Sequence, residues 1–455
     1  MNTEAYSRLI AQEMNLRHQQ VKNTVELLDD GGTVPFISRY RKESTGSLDE
    51  VQITAVRDRM LQLKALDKRR EAILKSLEEQ GVLTEALRQQ VDAATTLTEL
   101  EDIYLPYKPK RRTKASIARE RGLEPLAKIF LSRSVRFPEQ EAERFVNPEK
   151  EVNSAEEALQ GARDIIAEWI NEQAYVRRRL RKMFNEEGYL LSQVAKNKEA
   201  EGEKYETYFD YREDLKYLPS HRILAMLRGE KEGFLKIRVE VDEEDALGLI
   251  ASAFMKPHHT QQEVMKAIAD AYKRLLHPSM ENEVRATLKE QADEKAIEVF
   301  AQNVRQLLLA PPMGEMNIMA IDPGFRSGCK VVCLDKNGNL QYNETIYPHP
   351  PQRDTKTAEK KISYLAKAYK IDAIAVGNGT AGRETERFIK KIRFERDLIA
   401  VMVNENGASV YSASDLARKE FPEYDVTVRG AVSIGRRASD PLAELVKIDP
   451  KAIGV

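Results

Sequence analysis

Three acidic residues in the last third of the chain stand where they could share metal ions. Asp322 ends an apolar run and precedes a Pro-Gly turn, Glu405 directly follows another apolar run, and Asp440 lies on the last predicted helix. Carboxylate oxygens are the ligands that Mg²⁺ and Mn²⁺ prefer, and two such ions can activate water and stabilise an in-line phosphoryl transfer. The three acids therefore predict a candidate magnesium or manganese site. The alternative interpretation is that Asp322 caps a turn and the other two are surface acids.

A basic segment, residues 108–114, is the second candidate site. From Tyr104 to Arg121 there are seven positive residues and one negative residue, Glu120. Cations on an exposed loop pair with phosphates and release counterions, and tyrosines such as Tyr104 and Tyr107 can stack on bases. The pattern predicts nucleic-acid contact, and the alternative is a solvated loop or arginines that hold neighbouring helices through carboxylates. We assign the contact to Lys108, Lys110, Arg111, Arg112 and Lys114.

Two arginines, Arg436 and Arg437, stand just before Asp440. If the last helix lines the acidic cluster, their guanidinium groups could hold a phosphate beside the metal ions. Plain solvent exposure is the alternative for both.

The first 195 residues have a pattern typical of helices nearly throughout. Ser47 and Glu50 have the spacing of a capping box, and Gly81 is a stop signal. Between them apolar residues recur mostly three and four positions apart, which predicts one long amphipathic helix. The stripe consists of Ile53, Val56, Met60, Leu63, Leu66, Ile73, Leu74 and Leu77.

The middle of the chain has weaker patterns. Residues 196–214 are rich in Lys and Glu without periodicity, which indicates a linker or an exposed helix end. Alternation over 235–241 predicts a short strand, and 279–309 reads as a long amphipathic helix that Pro311 and Pro312 end. The predicted domains are an N-terminal helical domain 1–195, a central region 196–312 and a C-terminal domain 313–455.

After Asn317 short apolar runs alternate with helical patterns in the order β-β-β-α-β-α-β-α. Asn337-Gly338 is a hairpin-turn signal. Three hairpin-linked strands followed by alternating helices and strands predict a mixed sheet flanked by helices. The predicted fold class is therefore multidomain, with a mainly α N-terminal region and an α/β C-terminal domain.

Composition limits the classes of function. With 72 basic and 73 acidic residues the net charge is −1, so any nucleic-acid surface must be a local patch. Two cysteines exclude a disulfide framework and indicate a reducing compartment. The sequence shows neither a signal-peptide pattern nor an apolar run of about 18 residues. We expect a soluble cytoplasmic protein without a membrane partner.

Several segments resemble known families. Ile318–Gly328 resembles the first hairpin of the YqgF family, a branch of the RNase H and Holliday-junction resolvase superfamily. Over essentially its whole length the chain is similar to the Tex family of bacterial transcription accessory proteins. The other matching segments are Gly32–Lys42, Leu100–Thr113, Glu405–Ser414 and Asp440–Leu445.

This resemblance implies an RNase H-like (YqgF) fold for residues 313–455. It also implies that Asp322, Glu405 and Asp440 match the acidic positions of the YqgF pattern. Resolvases end their fourth strand in a glutamate, whereas this chain has Val376-Gly377-Asn378, and Ala443 stands where a second acid would follow Asp440. Family members continue into helix-hairpin-helix motifs and an oligonucleotide-binding fold, which we expect beyond Val455.

The basic segment, together with what this resemblance implies, favours a nucleic-acid-binding protein that acts with transcription as a scaffold for RNA or DNA. The first alternative is a Mg²⁺- or Mn²⁺-dependent nuclease of the YqgF or resolvase type that uses the three acids. The second is a protein-interaction scaffold that docks RNA polymerase. The leading hypothesis requires no cofactor, and the sequence assigns no oligomeric state.

Overall fold

The computed structural model describes residues 3–109 and 112–454, so Lys110 and Arg111 of the basic segment lie outside the described residues. The chain divides into two compact units, Met1–Lys289 and Glu290–Val455. The division falls inside a long helix, whereas the sequence analysis puts the last boundary after the two prolines. The three-domain division stays a prediction. No helix in the described ranges is long and apolar enough to cross a membrane.

The first unit is mainly helical, with one small sheet. Its strands are β1 (Tyr189–Val194), β2 (Asp210–Asp214) and β3 (Leu235–Glu240), which pair antiparallel in the order β2-β1-β3. Its helices are α1 (Thr3–Glu13), α2 (His18–Asp29), α3 (Val34–Tyr40), α4 (Lys42–Thr45), α5 (Glu50–Glu79), α6 (Glu85–Ala93), α7 (Leu97–Tyr104), α8 (Lys114–Glu120), α9 (Glu124–Ser132), α10 (Pro138–Glu143), α11 (Ala155–Asn171), α12 (Ala174–Glu187), α13 (Ser220–Lys231), α14 (Glu243–Phe254), α15 (Gln261–Ala271) and α16 (His277–Leu308), which extends past Lys289.

The sheet corrects two predictions, because β1 lies within the stretch predicted as helix and β2 within the predicted linker. The inward positions of β1 include Ser192, which is fully buried. Its hydroxyl donates to the Tyr208 carbonyl at 2.8 Å. A serine at a buried position removes the apolar alternation by which a strand is recognised in a sequence.

Helix α5 has the predicted buried stripe but begins later than expected. Asp49, not Ser47, is the N-cap: its carboxylate accepts from the Gln52 backbone at 2.8 Å, and the Gln52 side chain accepts from the Asp49 N–H. Ser47 has a φ of 64°, whereas an N-cap residue needs an extended backbone. The helix ends at the predicted place, before Gly81 with its φ of 69°.

The second unit contains a five-stranded mixed sheet in the order β6-β5-β4-β7-β8. In this sheet β5 pairs antiparallel with both β4 and β6, and β4, β7 and β8 run parallel. The strands are β4 (Ile318–Asp322), β5 (Cys329–Leu334), β6 (Leu340–Ile346), β7 (Ala373–Gly377) and β8 (Ile399–Val403). The helices that follow α16 are α17 (Thr355–Ala368), α18 (Gly382–Lys391), α19 (Ala408–Ala413), α20 (Asp415–Glu420), α21 (Val426–Ser439) and α22 (Pro441–Leu445). The predicted element order and fold class are confirmed.

Helix α21 packs closely on one face of this sheet, because small residues line its contact with β4. A Cβ atom on Gly435 would lie 2.9 Å from the Ala320 Cβ and would collide with Leu334. Alternate strand residues such as Ile318 and Ala320 face α21, while Met319 and Ile321 face the core under α17 and α18. This close packing sets which α21 side chains meet the carboxyl edge of the sheet.

Candidate functional site

Asp322 and Glu405 form an acidic pair at the carboxyl edge of the sheet. Asp322 ends β4 and Glu405 follows β8, and parallel strands present their carboxyl ends at one edge. Burial raises the pKa of Asp322 to about 6, with a further contribution from the Glu405 charge and an opposing one from Lys330. Burial also raises the pKa of Glu405, against the Gly379 N–H and the Arg437 charge. The structure therefore brings these two predicted residues together at one edge of the sheet.

Two glycines make the space that the Glu405 carboxylate occupies. A Cβ atom on Gly377 or on Gly379 would collide with that carboxylate. The Gly379 N–H donates to it, and the Asn378 side chain accepts from the Glu405 N–H at 3.2 Å. The turn after β7 therefore holds the acid of the neighbouring strand, a role that the sequence analysis missed. The sequence feature that could have indicated this role is a pair of glycines, separated by one residue, at the sheet edge where Glu405 was expected.

Asp440 does not join the acidic pair, so the prediction of a three-carboxylate cluster is wrong at this residue. Asp440 is exposed and caps α22, where its carboxylate accepts from the Ala443 N–H at 3.0 Å. The α21 residue beside Asp322 is Gly430, whose Cβ would lie 3.5 Å from the Asp322 Oδ2. Asp440 follows Gly430 by ten residues, which is about 15 Å along a helix axis.

The remaining donors do not fit a two-metal centre. Helix α21 brings Gly430 to Asp322 and the cationic Arg437 to the vicinity of Glu405, so it adds no carboxylate to the pair. Within the described ranges no group of three His, Cys, Asp or Glu side chains could hold a metal ion. Hard divalent cations need several oxygen ligands. Magnesium or manganese binding here stays a prediction.

Arg436 and Arg437 serve internal contacts rather than the predicted phosphate. Arg436 donates to the Gly338 carbonyl and the Glu420 carboxylate, both at 3.0 Å, and lies over the Phe421 ring. Arg437 is only 4% exposed and donates to the carbonyls of Asn404 and Asn406. Neither of the predicted alternatives, phosphate binding or solvent exposure, describes them, because both guanidinium groups tie α21 to loops.

The basic segment keeps exposed cations. Lys108, Arg112 and Lys114 are exposed, and Lys114 begins α8 after its N-cap, Thr113. Arg112 lies 3.5 Å from Glu120, and the two side chains are 72% and 62% exposed. No ion pair joins Lys108 or Lys114 to a carboxylate in the part of the chain that the structure describes. These three cations are therefore available to a ligand.

The flanking aromatic and basic residues are structural. The Tyr104 hydroxyl lies 2.9 Å from the Ser76 Oγ, and its ring is buried under Arg69, so the expected base stacking by Tyr104 is wrong. Arg119 pairs with Glu168 at 2.6 Å. Arg121 pairs with Glu151 at 2.8 Å, but Glu151 is exposed and lies in a turn. The alternative interpretation, that arginines hold neighbouring helices, therefore describes Arg119, which joins α8 to α11.

A buried ion-pair network fixes the helix from which the basic segment emerges. Asp102 of α7 accepts from Arg177 at 2.6 Å and pairs with Arg181 at 2.9 Å, and both arginines also contact Glu283 of α16. Asp102 and Arg177 are each 6% exposed. Buried charges of this kind need partners, so α7 is held against α12 and α16.

Three family models match the chain and fit this architecture. They are the Tex-like protein N-terminal domain over residues 4–78, the Tex central region-like model over residues 134–300 and the Tex protein YqgF-like domain over residues 316–439. The last covers the mixed sheet and α21, so the C-terminal unit is an α/β domain of the RNase H-like, YqgF type.

Relatives extend the match to the full chain. "Protein tex" of Bordetella pertussis and "Transcriptional accessory protein Tex" of Neisseria gonorrhoeae are each 44% identical to it over 99% of this chain. The human "S1 RNA-binding domain-containing protein 1" is 31% identical over 98% of this chain and 47% of its own length. The chain belongs to the Tex protein family. It spans 60–63% of the length of the first bacterial relatives.

Proposed function

We propose that the chain is a nucleic-acid-binding transcription accessory protein that holds RNA or DNA without cleaving it. The printed names of two relatives support this proposal, one a transcriptional accessory protein and the other an S1 RNA-binding domain-containing protein. The cytoplasm is the compartment that we propose, and both cysteines are free and buried.

The observation that carries the proposal is the exposed charge of the basic segment. Lys108, Arg112 and Lys114 point to solvent from a backbone that the buried Asp102 network anchors at one end. The contact of Arg112 with Glu120 is an exposed ion pair, which typically contributes less than about 1 kcal/mol. A phosphate can therefore replace Glu120 at little cost. Such contacts release counterions from a polynucleotide.

Cleavage is not favoured by the acidic pair. A two-metal phosphodiesterase needs carboxylates on both sides of the reacting phosphate. Here α21 supplies Gly430 and Arg437 instead, and Asp440 caps a helix elsewhere. We therefore propose a binding role for the YqgF-type domain as well.

The test is a salt titration of binding to labelled single-stranded and duplex RNA and DNA. The parent is compared with the triple variant Lys108→Ala, Arg112→Ala and Lys114→Ala. On a single strand, each cation–phosphate pairing that a substitution removes lowers the slope of log affinity against log salt by about 0.7, so the slope should fall by about 2. Equal affinities and slopes would contradict the assignment of the basic segment.

The control removes the same charge from exposed positions outside the segment, with Lys68→Ala, Arg88→Ala and Lys231→Ala. This variant should bind as the parent does. The same strands incubated with Mn²⁺ test the nuclease alternative. Cleavage that disappears in Asp322→Asn would overturn the binding-only proposal. A pulldown of RNA polymerase that survives nuclease treatment, from a parent that binds no nucleic acid, would favour the protein scaffold.

A further inference from the structure

Helix α3 and the turn after it expose two aromatic rings among unpaired cations. Phe36 is 40% exposed and Tyr40 is 67% exposed, while Ile37 between them is fully buried. Residues four apart lie on the same side of a helix, and the two ring centroids are 5.6 Å apart. We call Phe36, Arg39, Tyr40, Arg41 and Lys42 the aromatic–cation surface.

The charge of this surface is positive. Arg39, Arg41 and Lys42 are exposed, and in the described part of the chain no carboxylate lies within ion-pair distance of them. The guanidinium carbon of Arg41 lies 5.0 Å from the Phe36 ring centroid, and its Nη1 donates to the Tyr40 carbonyl at 3.1 Å. The planar guanidinium of Arg41 therefore lies against the Phe36 ring. It offers a base a flat surface for stacking as well as a positive charge.

The backbone beneath the surface is held by local contacts. The Thr33 hydroxyl accepts from the Phe36 N–H, and the side chains of Gln20 and Asn23 donate to the carbonyls of Gly46 and Ser44 at 2.9 and 2.6 Å. The rings are thus presented on a braced helix-turn unit. The exposed faces of Phe36 and Tyr40 are open to a ligand in the described structure.

We propose that the aromatic–cation surface binds single-stranded nucleic acid, with bases stacked on Tyr40 and Phe36 and phosphates held by Arg39, Arg41 and Lys42. Aromatic faces next to cations are how proteins bind unpaired strands, because every base has a face to stack and every linkage carries a charge. A duplex hides the base faces, so this surface discriminates against it. An acidic protein segment would use the cations but gains less from two open rings. The proposal rests on the proposed nucleic-acid binding and adds a second, strand-selective contact.

The experiment measures binding of the full chain to short oligo(U), oligo(dT) and a duplex of matched length. Loss of one stacked base costs at least about fivefold in affinity. Tyr40→Ala and Phe36→Ala should therefore each weaken binding to the single strands fivefold or more and leave duplex binding within about twofold. The two single strands distinguish RNA from DNA as the better ligand.

Further variants separate stacking from charge and from loss of folding. Tyr40→Phe keeps the ring and should bind as the parent does, whereas Tyr40→Leu keeps apolar area but should bind as Tyr40→Ala does. Tyr217→Ala removes a comparably exposed tyrosine, 73% exposed, and should have no effect.

Three results would overturn the proposal. One is unchanged single-strand affinity in Tyr40→Ala while the basic-segment triple variant loses binding, which would leave the proposed function standing. Another is equal loss for single strands and duplex. The third result is that the parent binds polyglutamate, that Tyr40→Ala abolishes this binding, and that Tyr40→Ala still binds single strands. This result would identify an acidic protein partner. If the parent binds no polynucleotide at all, the proposed function and this inference both fail.

Discussion

The basic region of the first unit and the acidic edge of the second bury charge in opposite ways. Around α7, buried Asp102 meets Arg177 and Arg181, so each charge has an opposite partner. At the end of β4, the partly buried Asp322 faces Glu405, a like charge, and burial together with that charge raises the pKa of Asp322 to about 6. Removing a charge should therefore destabilise the first region and stabilise the second.

The largest effect is expected for Asp102→Ala, which leaves Glu283 as the acidic partner that Arg177 and Arg181 share. Breaking a buried ion pair costs about 3–5 kcal/mol, so the first unit should lose stability of that order. Trp169 of α11 is the single tryptophan of the chain and lies in this unit, so its fluorescence during urea denaturation reports the loss.

The matched control for that experiment is Glu120→Ala, which breaks the exposed contact with Arg112. It should change stability by less than about 1 kcal/mol. If Asp102→Ala cost no more than Glu120→Ala, the ion pairs around α7 would not hold the helix.

A smaller effect of opposite sign is expected for Asp322→Asn. The pKa of Asp322 is about 6 in the folded state against 3.8 in the unfolded chain, so between those pH values the folded state binds more protons. Stability of the parent should fall as the pH rises from about 4 to about 6, and at pH 7 Asp322→Asn should be more stable by about 2–3 kcal/mol.

Unfolding of the second unit can be followed through its two buried cysteines, Cys329 and Cys333, with a disulfide reagent that works in acid. Asp415→Asn is the control, because that side chain is 87% exposed. A less stable Asp322→Asn at pH 7, or the same pH dependence in the parent and in Asp322→Asn, would mean that burial and the Glu405 charge do not disfavour the ionised Asp322 carboxylate in the folded state.

The smallest expected effect is that of Gly379→Ala, which places a Cβ atom where the Glu405 carboxylate lies. Overpacking of this kind costs about 1–3 kcal/mol, because the carboxylate must leave its present position. The same cysteine assay measures the stability loss.

Gly248→Ala, which lies in the first unit and is therefore followed by Trp169 fluorescence, is the control for adding a methyl group to a glycine, since a Cβ there meets nothing within 4 Å. In the interior of α14 it should be neutral or stabilising. An equal result for the two alanine variants would show that the turn has room for a side chain.

The acidic pair shows how far the residues alone could lead. Asp322 and Glu405 follow apolar runs that form parallel strands, and parallel strands end at a common edge, so their convergence was predictable. The prediction that Asp440 joins them was wrong, because the distance of Asp440 from that edge depends on where α21 crosses β4. That crossing is set by the close contact of Gly435 with Ala320 and Leu334.

The basic region likewise shows that local sequence does not reveal which side chains are buried or paired. The sequence shows seven cations from Tyr104 to Arg121. In the structure Arg119 and Arg121 form ion pairs, whereas Lys108, Arg112 and Lys114 are exposed. Partners such as Glu168 lie far away in the sequence, so local composition carries no information about them. The prediction that Tyr104 stacks on bases is wrong for the same reason, because its partner, Ser76, belongs to another helix.

By itself the sequence determined the order of strands and helices in the second unit, the buried stripe of α5 and the place of Asp322 at a strand end. These follow from period and turn chemistry, which act over a few neighbouring residues. Only the tertiary structure decided that Gly430 faces Asp322, that two glycines seat Glu405 and that Asp102 is paired. Those outcomes depend on distances of a few ångströms between elements that are remote in the chain, and close packing fixes such distances only once the whole unit has formed.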